Sequence, residues 1–466
     1  MELLIPLDSR SKKPLYEQIY SHICAEIRGG ALKAGDRLPS TRVLAEHLKV
    51  SRSTTQMAYD QLLAEGYMES RPCRGYFVSH LDELVETGPS GAEEMETTAE
   101  PDEGWRVDFS PHGIDLDSFP YHVWRKLSRN TLVDDNKEMF HSGNHQGEPG
   151  LREAIRSYLH SARGVNCSPE QIIVGAGSEY LLMLLSQILE GKHVIAMENP
   201  TYKQAYRVFR SLDYEVCPVE MDANGMEPEL LTRSGANVAY VMPSHQFPTG
   251  VVMPVGRRQE LLKWAVEAPD RYIIEDDYDS EFRYRGKPIP ALQGMDRSGR
   301  VIYLGTFSKC IAPAIRVSYL VLPIHLLLRY RSQTSFYAST VSRIDQNILY
   351  QFLAGGYFER HLNRMRAVYK TKHDLLLEQI EPLRERFEIR GEHAGIHILL
   401  TSRQGESEEQ LIQKAEEAGV KVYGLSSYFI HPQHNHRPAT VVLGYASLSE
   451  EQIVEGIRLL MECWGA

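Results

Sequence analysis

The sequence predicts an α/β protein with two unlike parts, a small helical head and a larger body built on a parallel or mixed sheet. Two observations favour this architecture. From about Trp105 onward, short β-branched runs alternate with helical stretches, a pattern typical of a parallel sheet covered by helices. The first 80 residues instead show helical periodicity and one hairpin-like segment. A length of 466 residues fits two or three domains.

Three helices and a hairpin are predicted in the head. The first helix starts after Pro14 and stops at Gly29, and Ser40 and Ser51 are the predicted N-caps of the next two. In the second helix the side chains expected to point inward are Val43, Leu44 and Leu48. In the third helix the expected apolar face is Met57, Ala58, Leu62 and Leu63, and the expected exposed polar residues are Arg52, Thr54, Thr55 and Gln56.

Three helices followed by a hairpin over residues 67–78 describe a winged helix-turn-helix. The third helix begins with short polar and cationic side chains, and helix N-termini attract phosphate. The alternative is a small helical docking module with an ordinary solvated face. The candidate DNA-binding residues are Arg42, Ser51, Arg52, Ser53, Thr54, Arg71 and Arg74.

The stretch DRLPSTRVLAEHLKVSRSTTQMAYDQLLAEGYMESRPCRGYFV resembles the winged-helix domain of GntR-type bacterial transcription regulators. The resemblance covers most of residues 10–80 and implies double-stranded promoter DNA as a partner. It departs at the wing, where a small Gly-Ser-Gly tip is replaced by Cys73-Arg74-Gly75. The wing is still expected to turn, with different DNA contacts.

The charge of the chain is uneven. The formal net charge is −11, yet residues 1–80 hold 11 lysines and arginines against 9 acidic residues. A weakly basic head on an acidic body is compatible with nucleic-acid binding by the head alone.

Composition also excludes several classes of protein. The six cysteines are scattered without a Cys-x-x-Cys pair, which argues against a disulfide framework and against a metal site. No run approaches the roughly 18 apolar residues that span a bilayer, and the charged N-terminus is unlike a signal peptide. A cytoplasmic protein without a membrane partner is expected.

An acidic stretch separates the head from the body. Residues 82–104 hold nine acidic residues and no lysine or arginine, which predicts an extended, flexible linker, with an acidic binding tail as the alternative. The C-terminal part is expected to open with a long helix over roughly 343–380 and to form a smaller α+β subdomain. The predicted domains are the head at 1–80, the linker at 81–105, and the body at 106–466 with its subdomain from about 340.

Polar residues end three of the strands predicted in the body. GAGSE (175–179), EDDYD (275–279) and TFSK (306–309) each follow an apolar run, and ligands bind at the carboxyl ends of parallel strands. Taken singly, the glycine-rich turn could be plain strand–helix punctuation, and the paired acids could form a metal site or a helix cap. Together the three segments predict a binding site at one edge of the sheet.

Lys309 stands out because apolar residues precede and follow it. A lysine in dry surroundings has a lowered pKa and becomes nucleophilic. Pyridoxal 5′-phosphate needs such an amine for its Schiff base, a carboxylate at its pyridine nitrogen, and hydroxyls, an arginine and a helix N-terminus for its phosphate. A structural Lys–Asp pair would explain only two of the residues that meet these needs. The full set is Lys309, Asp276, Gly177, Ser178, Thr306 and Arg316.

The order of the motifs ENPTY, PSHQFPTG, EDDYDSEF, TFSK and APAIR resembles fold-type I aminotransferases over roughly residues 107–466. The resemblance implies that Lys309 forms the Schiff base, that Asp276 meets the ring nitrogen and that Tyr278 meets the phenolic oxygen. It further implies that Tyr202 stacks on the ring. The residues it implies for the phosphate are Thr306, Ser308, Arg316 and the backbone amides of Gly177, Ser178 and Glu179.

Two departures from the aminotransferase pattern concern the substrate. Phe247 replaces the family's asparagine, which leaves His245 and Gln246 as candidate effector-binding residues. Val442 stands where the arginine that clamps a substrate carboxylate is expected, and Arg437 is a nearby candidate for that role. The cofactor site therefore looks complete, whereas the amino-acid site does not.

A GntR-type head joined to an aminotransferase-like body is similar to the MocR/GabR family of bacterial regulators. The resemblance implies a head-to-tail homodimer in which residues 140–152 reach across the interface. It also implies a regulator that senses a small amine, an amino acid or pyridoxal phosphate itself. The missing clamp at Val442 predicts slow or absent transamination of common amino acids. The rival hypotheses are an active aminotransferase carrying a DNA-binding head and a scaffold with an inactive fold.

Overall fold

The computed structural model describes residues 3, 5–8, 10–80, 104–132, 137–284, 286, 288–392, 394–431 and 438–465. The chain divides into two compact units, Met1–Asp102 and Glu103–Ala466. Residues 81–103, which make up nearly all of the predicted linker, lie outside the described residues. None of the described helices is both long enough and apolar enough to cross a membrane.

The head is a winged helix-turn-helix, as the sequence predicts. Its three short strands pair antiparallel in the order β1-β3-β2, so that β2 and β3 form the wing. Ile19, Tyr59 and Leu62 are fully buried in its core. The elements are α1 (Leu15–Arg28), β1 (Arg37–Leu38), α2 (Thr41–Leu48), α3 (Arg52–Ala64), β2 (Met68–Arg71) and β3 (Gly75–Val78).

Three side chains of the head face the opposite way from the sequence prediction. Val43 and Met57, expected inside, are 55% and 51% exposed, and Thr55, expected on the surface, is fully buried. The Thr55 hydroxyl donates to the Thr41 backbone carbonyl at 2.9 Å, which satisfies the buried hydroxyl. Because its hydroxyl is hydrogen-bonded, Thr55 can lie on the buried face of α3. Met57 lies outside that face.

The body is built on a mixed sheet of eight strands in the order β5-β12-β11-β10-β9-β6-β7-β8 within the described residues. Strand β12 runs antiparallel to both of its neighbours and β8 antiparallel to β7, whereas the other neighbouring pairs are parallel. The sheet's strands are β5 (Ile172–Gly175), β6 (Val194–Asn199), β7 (Glu215–Asp222), β8 (Gly225–Met226), β9 (Val238–Val241), β10 (Tyr272–Asp277), β11 (Val301–Thr306) and β12 (Ser318–Val321), and a further short strand, β4 (Val107–Asp108), lies outside this sheet.

Helices cover both faces of this sheet. Adjacent residues of β5 pack into different cores, with Ile173 on one side of the sheet and Ile172 and Val174 on the other. The helices of this part are α4 (Tyr121–Thr131), α5 (Pro149–Arg163), α6 (Ser178–Leu189), α7 (Lys203–Ser211), α8 (Pro228–Arg233), α9 (Val255–Val266) and α10 (Ile324–Gln333).

The C-terminal part carries a second, antiparallel sheet in the order β13-β14-β17-β16. Strand β15 lies outside that sheet and pairs with β4 in parallel. The elements are α11 (Arg343–Ala354), α12 (Tyr357–Gln379), β13 (Phe387–Arg390), β14 (His397–Ser402), α13 (Glu408–Glu417), β15 (Val420–Lys421), β16 (Tyr423–Gly424), β17 (Thr440–Gly444) and α14 (Glu450–Trp464).

The long helix predicted over roughly 343–380 is in fact two helices, α11 and α12. They are separated by Gly355-Gly356, and Gly356 has a left-handed backbone with φ of 66°. This backbone region is open to glycine at little cost and ends a right-handed helix. The α+β character of the C-terminal part agrees with the predicted fold class.

The sheet topology brings three sequence segments to one edge. Strands β10 and β11 are parallel neighbours, with Asp276 opposite Leu304. Because β12 runs antiparallel between β11 and β5, these two strands point the same way. The segments that follow β5, β10 and β11 therefore emerge at the same edge, where a parallel α/β sheet binds its ligands.

Candidate functional site

A cavity of about 230 Å³ opens at this edge of the body sheet. The side chains predicted to hold a cofactor converge on it, although they come from segments far apart in sequence. Phe247 and His112 also line its wall. The predicted cofactor residues around the cavity are Gly177, Ser178, Glu179, Tyr202, Asp276, Tyr278, Thr306, Ser308, Lys309 and Arg316.

Lys309 follows β11 and places its amine at the cavity wall. Its Nζ donates to the backbone carbonyl of His112 at 2.7 Å. Burial disfavours the ammonium form and lowers the pKa of Lys309 to about 8, although the negative charge of Asp279 opposes this shift. A reactive neutral amine is therefore accessible near physiological pH.

Asp276 lies on β10 and is almost completely buried. Burial raises its pKa to about 7, while a hydrogen bond donated by the Tyr240 hydroxyl acts in the opposite direction. The negative charge of Asp277 adds to the rise. A carboxyl group in these surroundings gains stability from a cationic partner, such as a protonated ring nitrogen.

The neighbouring acid, Asp277, has a structural role. Its Oδ2 accepts from Arg163 Nε at 2.8 Å and from the Tyr303 hydroxyl at 2.5 Å. Successive residues of a strand point to opposite faces of the sheet. Asp276 therefore lines the cavity, whereas Asp277 bonds Arg163 and Tyr303. Across the described ranges, no three His, Cys, Asp or Glu side chains cluster as metal ligands would.

Tyr278 is tied to a buried histidine. Its hydroxyl lies 3.0 Å from His245 Nδ1, and the same nitrogen lies 2.8 Å from Asp279 Oδ2. His245 itself is outside the residues that line the cavity. His245 therefore contacts the Tyr278 hydroxyl from outside the cavity and holds it in place.

Gln246, the other effector candidate, is also absent from the cavity lining. Its amide nitrogen donates to the Pro200 carbonyl at 2.9 Å, and its amide oxygen accepts from the Thr249 hydroxyl at 2.6 Å. These bonds hold the loop that places Phe247 in the wall. Arg437, the candidate carboxylate clamp, lies outside the described residues.

The expected clamp position is apolar. Val442, on β17, is fully buried in the same core as Phe247 and is the register partner of Leu399. In the described part of the chain, the only arginine that lines the cavity is Arg316.

The other end of the cavity is rich in hydrogen-bond donors. Helix α6 begins at Ser178, and the first N–H groups of a helix have no partner within it. The Ser318 hydroxyl donates to the Thr306 hydroxyl at 2.8 Å, and Arg316 Nη2 donates to Glu179 Oε2 at 3.0 Å. Helix N-termini and arginine favour anions such as phosphate.

Gly177, just before α6, has no room for a side chain. Its φ of 96° is in the region that favours glycine, and a Cβ there would lie 2.5 Å from Arg316 Nη2. The backbone and the guanidinium therefore meet at the donor-rich end of the cavity.

Sequence reasoning missed several contacts of the site. Tyr240, whose hydroxyl donates a hydrogen bond to Asp276, lies in an ordinary β-strand sequence. His112, whose backbone carbonyl accepts a hydrogen bond from Lys309, belongs to no motif. Tyr240 and Ile274 are register partners on β9 and β10, so a correct strand alignment would have placed Tyr240 near Asp276. No local signal in the sequence points to His112.

In the head, Ser51 caps α3. Its hydroxyl accepts from the Thr54 backbone N–H at 3.2 Å and lies 2.7 Å from the Ser53 hydroxyl. Arg52, the first residue of α3, is exposed. The N-terminal end of α3 therefore presents a cation and a cluster of hydrogen-bonded hydroxyls.

The remaining candidate arginines of the head are also on its surface. Arg42 pairs with Glu46 at 3.1 Å on α2. Arg71 pairs with Glu69 at 2.6 Å and lies over the Phe77 ring. Arg74 is exposed at the turn of the wing.

Comparison with known proteins assigns both parts of the chain to families. Residues 15–78 match the model for bacterial regulatory proteins of the gntR family, and residues 115–459 match that for aminotransferase class I and II. The chain is 41% identical to YdeL of Bacillus subtilis, an uncharacterized HTH-type transcriptional regulator, over 97% of each chain. It is 35% identical to MocR of Rhizobium meliloti, a probable rhizopine catabolism regulatory protein, over 98% of this chain and 95% of MocR.

The body also resembles solved aminotransferases. Kynurenine aminotransferase of Pyrococcus horikoshii, solved with PMP, superposes with a TM-score of 0.66 and 26% identity over 77% of this chain and 90% of that chain. Fold and site thus define a GntR-type head joined to a fold-type I aminotransferase domain, whose cofactor is pyridoxal phosphate. The chain belongs to the MocR family of HTH-type transcriptional regulators.

The lowered pKa of Lys309 predicts a pH dependence. The neutral amine should reach half of its full population near pH 8, rather than near the usual lysine value of ~10.4. We expect reductive methylation of Lys309, followed by mass spectrometry of its peptide, to show an inflection near pH 8. Exposed Lys263 in the same digest reports the reagent's own pH response. A Lys309 rate that tracks that of Lys263 up to pH 10 would contradict the assignment.

Proposed function

We propose that the protein is a transcription regulator that binds promoter DNA through its head and alters that binding when the body's cavity takes up a small amine, an amino acid or pyridoxal phosphate itself. The observation that carries the proposal is a contrast at one cavity. Lys309 and Asp276 line it as a cofactor would need, and the apolar Phe247 lines it beside them. Val442, at the expected place of the substrate clamp, lies buried in the same core as Phe247 and outside the cavity lining.

The residues around the cavity fit pyridoxal phosphate. When bound, the cofactor supplies an aldehyde that reacts with amines and a ring that withdraws electrons. In the proposal, Lys309 is the amine that holds the aldehyde carbon, Asp276 meets the ring nitrogen and Tyr202 stacks on the ring. Tyr278, fixed by His245, faces the phenolic oxygen.

The phosphate would lie at the N-terminus of α6. Gly177 has no side chain there, so its backbone lies close to the Arg316 guanidinium, and this close approach is the feature that best fits a bound phosphate. The proposed phosphate contacts are the backbone N–H groups of Ser178 and Glu179, the hydroxyls of Thr306 and Ser308, and the Arg316 guanidinium. The N–H of Gly177, also predicted from the sequence, already donates to the Gly175 carbonyl at 2.9 Å.

The proposed DNA contacts follow from the exposed end of α3. Arg52 would reach a base edge in the major groove, with Ser51, Ser53 and Thr54 beside it near the phosphates. The wing arginines Arg71 and Arg74, together with Arg42, would meet the phosphate backbone.

A head-to-tail homodimer is part of the proposal, with residues 140–152 contributing to the partner's site. Phe140, at the start of this segment, is exposed, which supports a role at an interface. Further large apolar side chains exposed on the body are Met183, Leu328, Phe336 and Tyr337. A ligand can shift DNA affinity only if it binds two arrangements of such an assembly unequally.

The second candidate function is an active aminotransferase with a DNA-binding head. The complete cofactor end of the cavity favours it. One observation opposes it: the position expected to hold an arginine for the substrate carboxylate is occupied by Val442. A substrate without such a clamp is poorly aligned for proton transfer by Lys309. Steady-state turnover on the order of 10 per second with common amino acids and 2-oxoglutarate, ordinary for an enzyme, would establish this alternative.

Replacing Lys309 by alanine tests the cofactor half of the proposal. We expect the wild-type protein to gain visible absorbance with pyridoxal phosphate that survives dialysis, and borohydride reduction to place the label on the Lys309 peptide. Lys309→Ala should lose this absorbance while keeping its circular dichroism spectrum, because the amine that forms the bond is gone. Lys263→Ala, on the exposed face of α9, is the matched control. Label on another lysine would overturn the assignment.

Replacing Arg52 by alanine tests the DNA half. On duplexes selected from a random-sequence library, Arg52→Ala should cost about 1–3 kcal/mol of binding free energy and relax the preference for a base pair. Arg74→Ala should weaken binding to all sequences alike and flatten its salt dependence. Arg233→Ala, an exposed arginine of the body, is the control. Unchanged affinity of Arg52→Ala at several salt concentrations would remove α3 from this role.

A further inference from the structure

Three charged or polar features meet at the donor-rich end of the cavity. The Glu179 carboxylate accepts from Arg316 Nη2 at 3.0 Å. A Cβ built on Gly177 would lie 2.5 Å from that nitrogen and 2.9 Å from Glu179 Oε2. The carboxylate therefore lies on the guanidinium and beside Gly177, the residue that precedes α6, where an external anion would also bind.

The Glu179 carboxylate also acts on the interior of the cavity. The pKa of Tyr202 is raised to about 12, mainly by burial and then by the charges of Asp276 and Glu179. Glu179 is likewise among the charges that add to the raised pKa of Asp276, after burial and nearer acids. Its negative charge therefore acts on Tyr202 and Asp276, two of the residues predicted to contact the cofactor.

An ordinary surface ion pair would be the simpler explanation of this contact. The Glu179 and Arg316 side chains are 31% and 55% exposed, so the pair is accessible and contributes little to stability by itself. Both residues, however, line the cavity together with Ser178, Thr306 and Ser318. The Ser178 and Thr306 hydroxyls can donate hydrogen bonds to an anion, and Ser318 donates to the Thr306 hydroxyl. An ionised carboxylate, by contrast, can only accept hydrogen bonds.

We propose that the Glu179 carboxylate is a built-in competitor of the cofactor phosphate: it holds Arg316 in the unloaded protein and has to leave when the phosphate arrives. The inference rests on the proposed function, and it states whether Glu179 strengthens or weakens phosphate binding. The backbone N–H of Glu179 favours the phosphate, and its side chain opposes it. The cofactor is consequently held reversibly, so that occupancy of the cavity follows the concentration of free pyridoxal phosphate.

The test compares two ligands that differ only in the phosphate. The apo protein is titrated with pyridoxal phosphate and with pyridoxal, following the absorbance change, for the wild type and Glu179→Gln. Glutamine keeps the size and the backbone N–H but removes the charge. We expect Glu179→Gln to bind pyridoxal phosphate about tenfold more tightly and to release it more slowly, with no gain for pyridoxal. The matched control is Glu229→Gln, which removes an exposed Glu–Arg pair on α8 and should leave both affinities unchanged.

Each other outcome has a distinct meaning. Unchanged or weaker binding of pyridoxal phosphate by Glu179→Gln, with a wild type that binds it at Lys309, contradicts the competitor role. An equal gain for pyridoxal also contradicts it, because the effect would then lie elsewhere than at the phosphate. Failure of both proteins to bond pyridoxal phosphate at Lys309 would instead contradict the proposed function.

Discussion

Burial at the carboxyl edge of the body sheet is the constraint on which the rest of the site depends. The same dry surroundings lower the pKa of Lys309 to about 8 and raise that of Asp276 to about 7. The charged form of each group is disfavoured, and each gains from a ligand that supplies an electrophilic carbon to the amine and a cation to the carboxyl. Pyridoxal phosphate supplies both in one ring.

Around this pair the cavity is unequal. Its donor-rich end, at the start of α6, is built for an anion, and Glu179 already places one there. Its lining also includes the apolar Phe247, in a loop held by the buried amide of Gln246. Val442, at the expected place of a cation, is buried in the core outside that lining. Among the described residues, the cavity offers an anion one arginine, Arg316. Under the proposed function, that imbalance suits reversible occupancy better than rapid turnover.

The sequence predicted the cavity well because strand ends converge. Lys309 and Asp276 each follow an apolar run, and parallel strands bring such ends together whatever the details of packing. Predictions failed where tertiary contacts decide which way a side chain points. Thr55 is buried because a carbonyl of α2 accepts its hydroxyl, and Gln246 turned away from the cavity because the backbone around Pro200 and Thr249 satisfies its amide. Periodicity and motif position carry no information about such partners.

The central claim is that occupancy of the cavity at Lys309 changes the affinity of the head for DNA. The most direct measurement is the dissociation constant for a selected duplex at fixed salt, with and without pyridoxal phosphate and a mixture of amino acids and small amines. Typical coupling between two sites changes affinity by roughly 5- to 150-fold. We expect a change of that order for the wild type and none for Lys309→Ala. Equal affinities in all wild-type conditions, or the same change without the lysine, would contradict it.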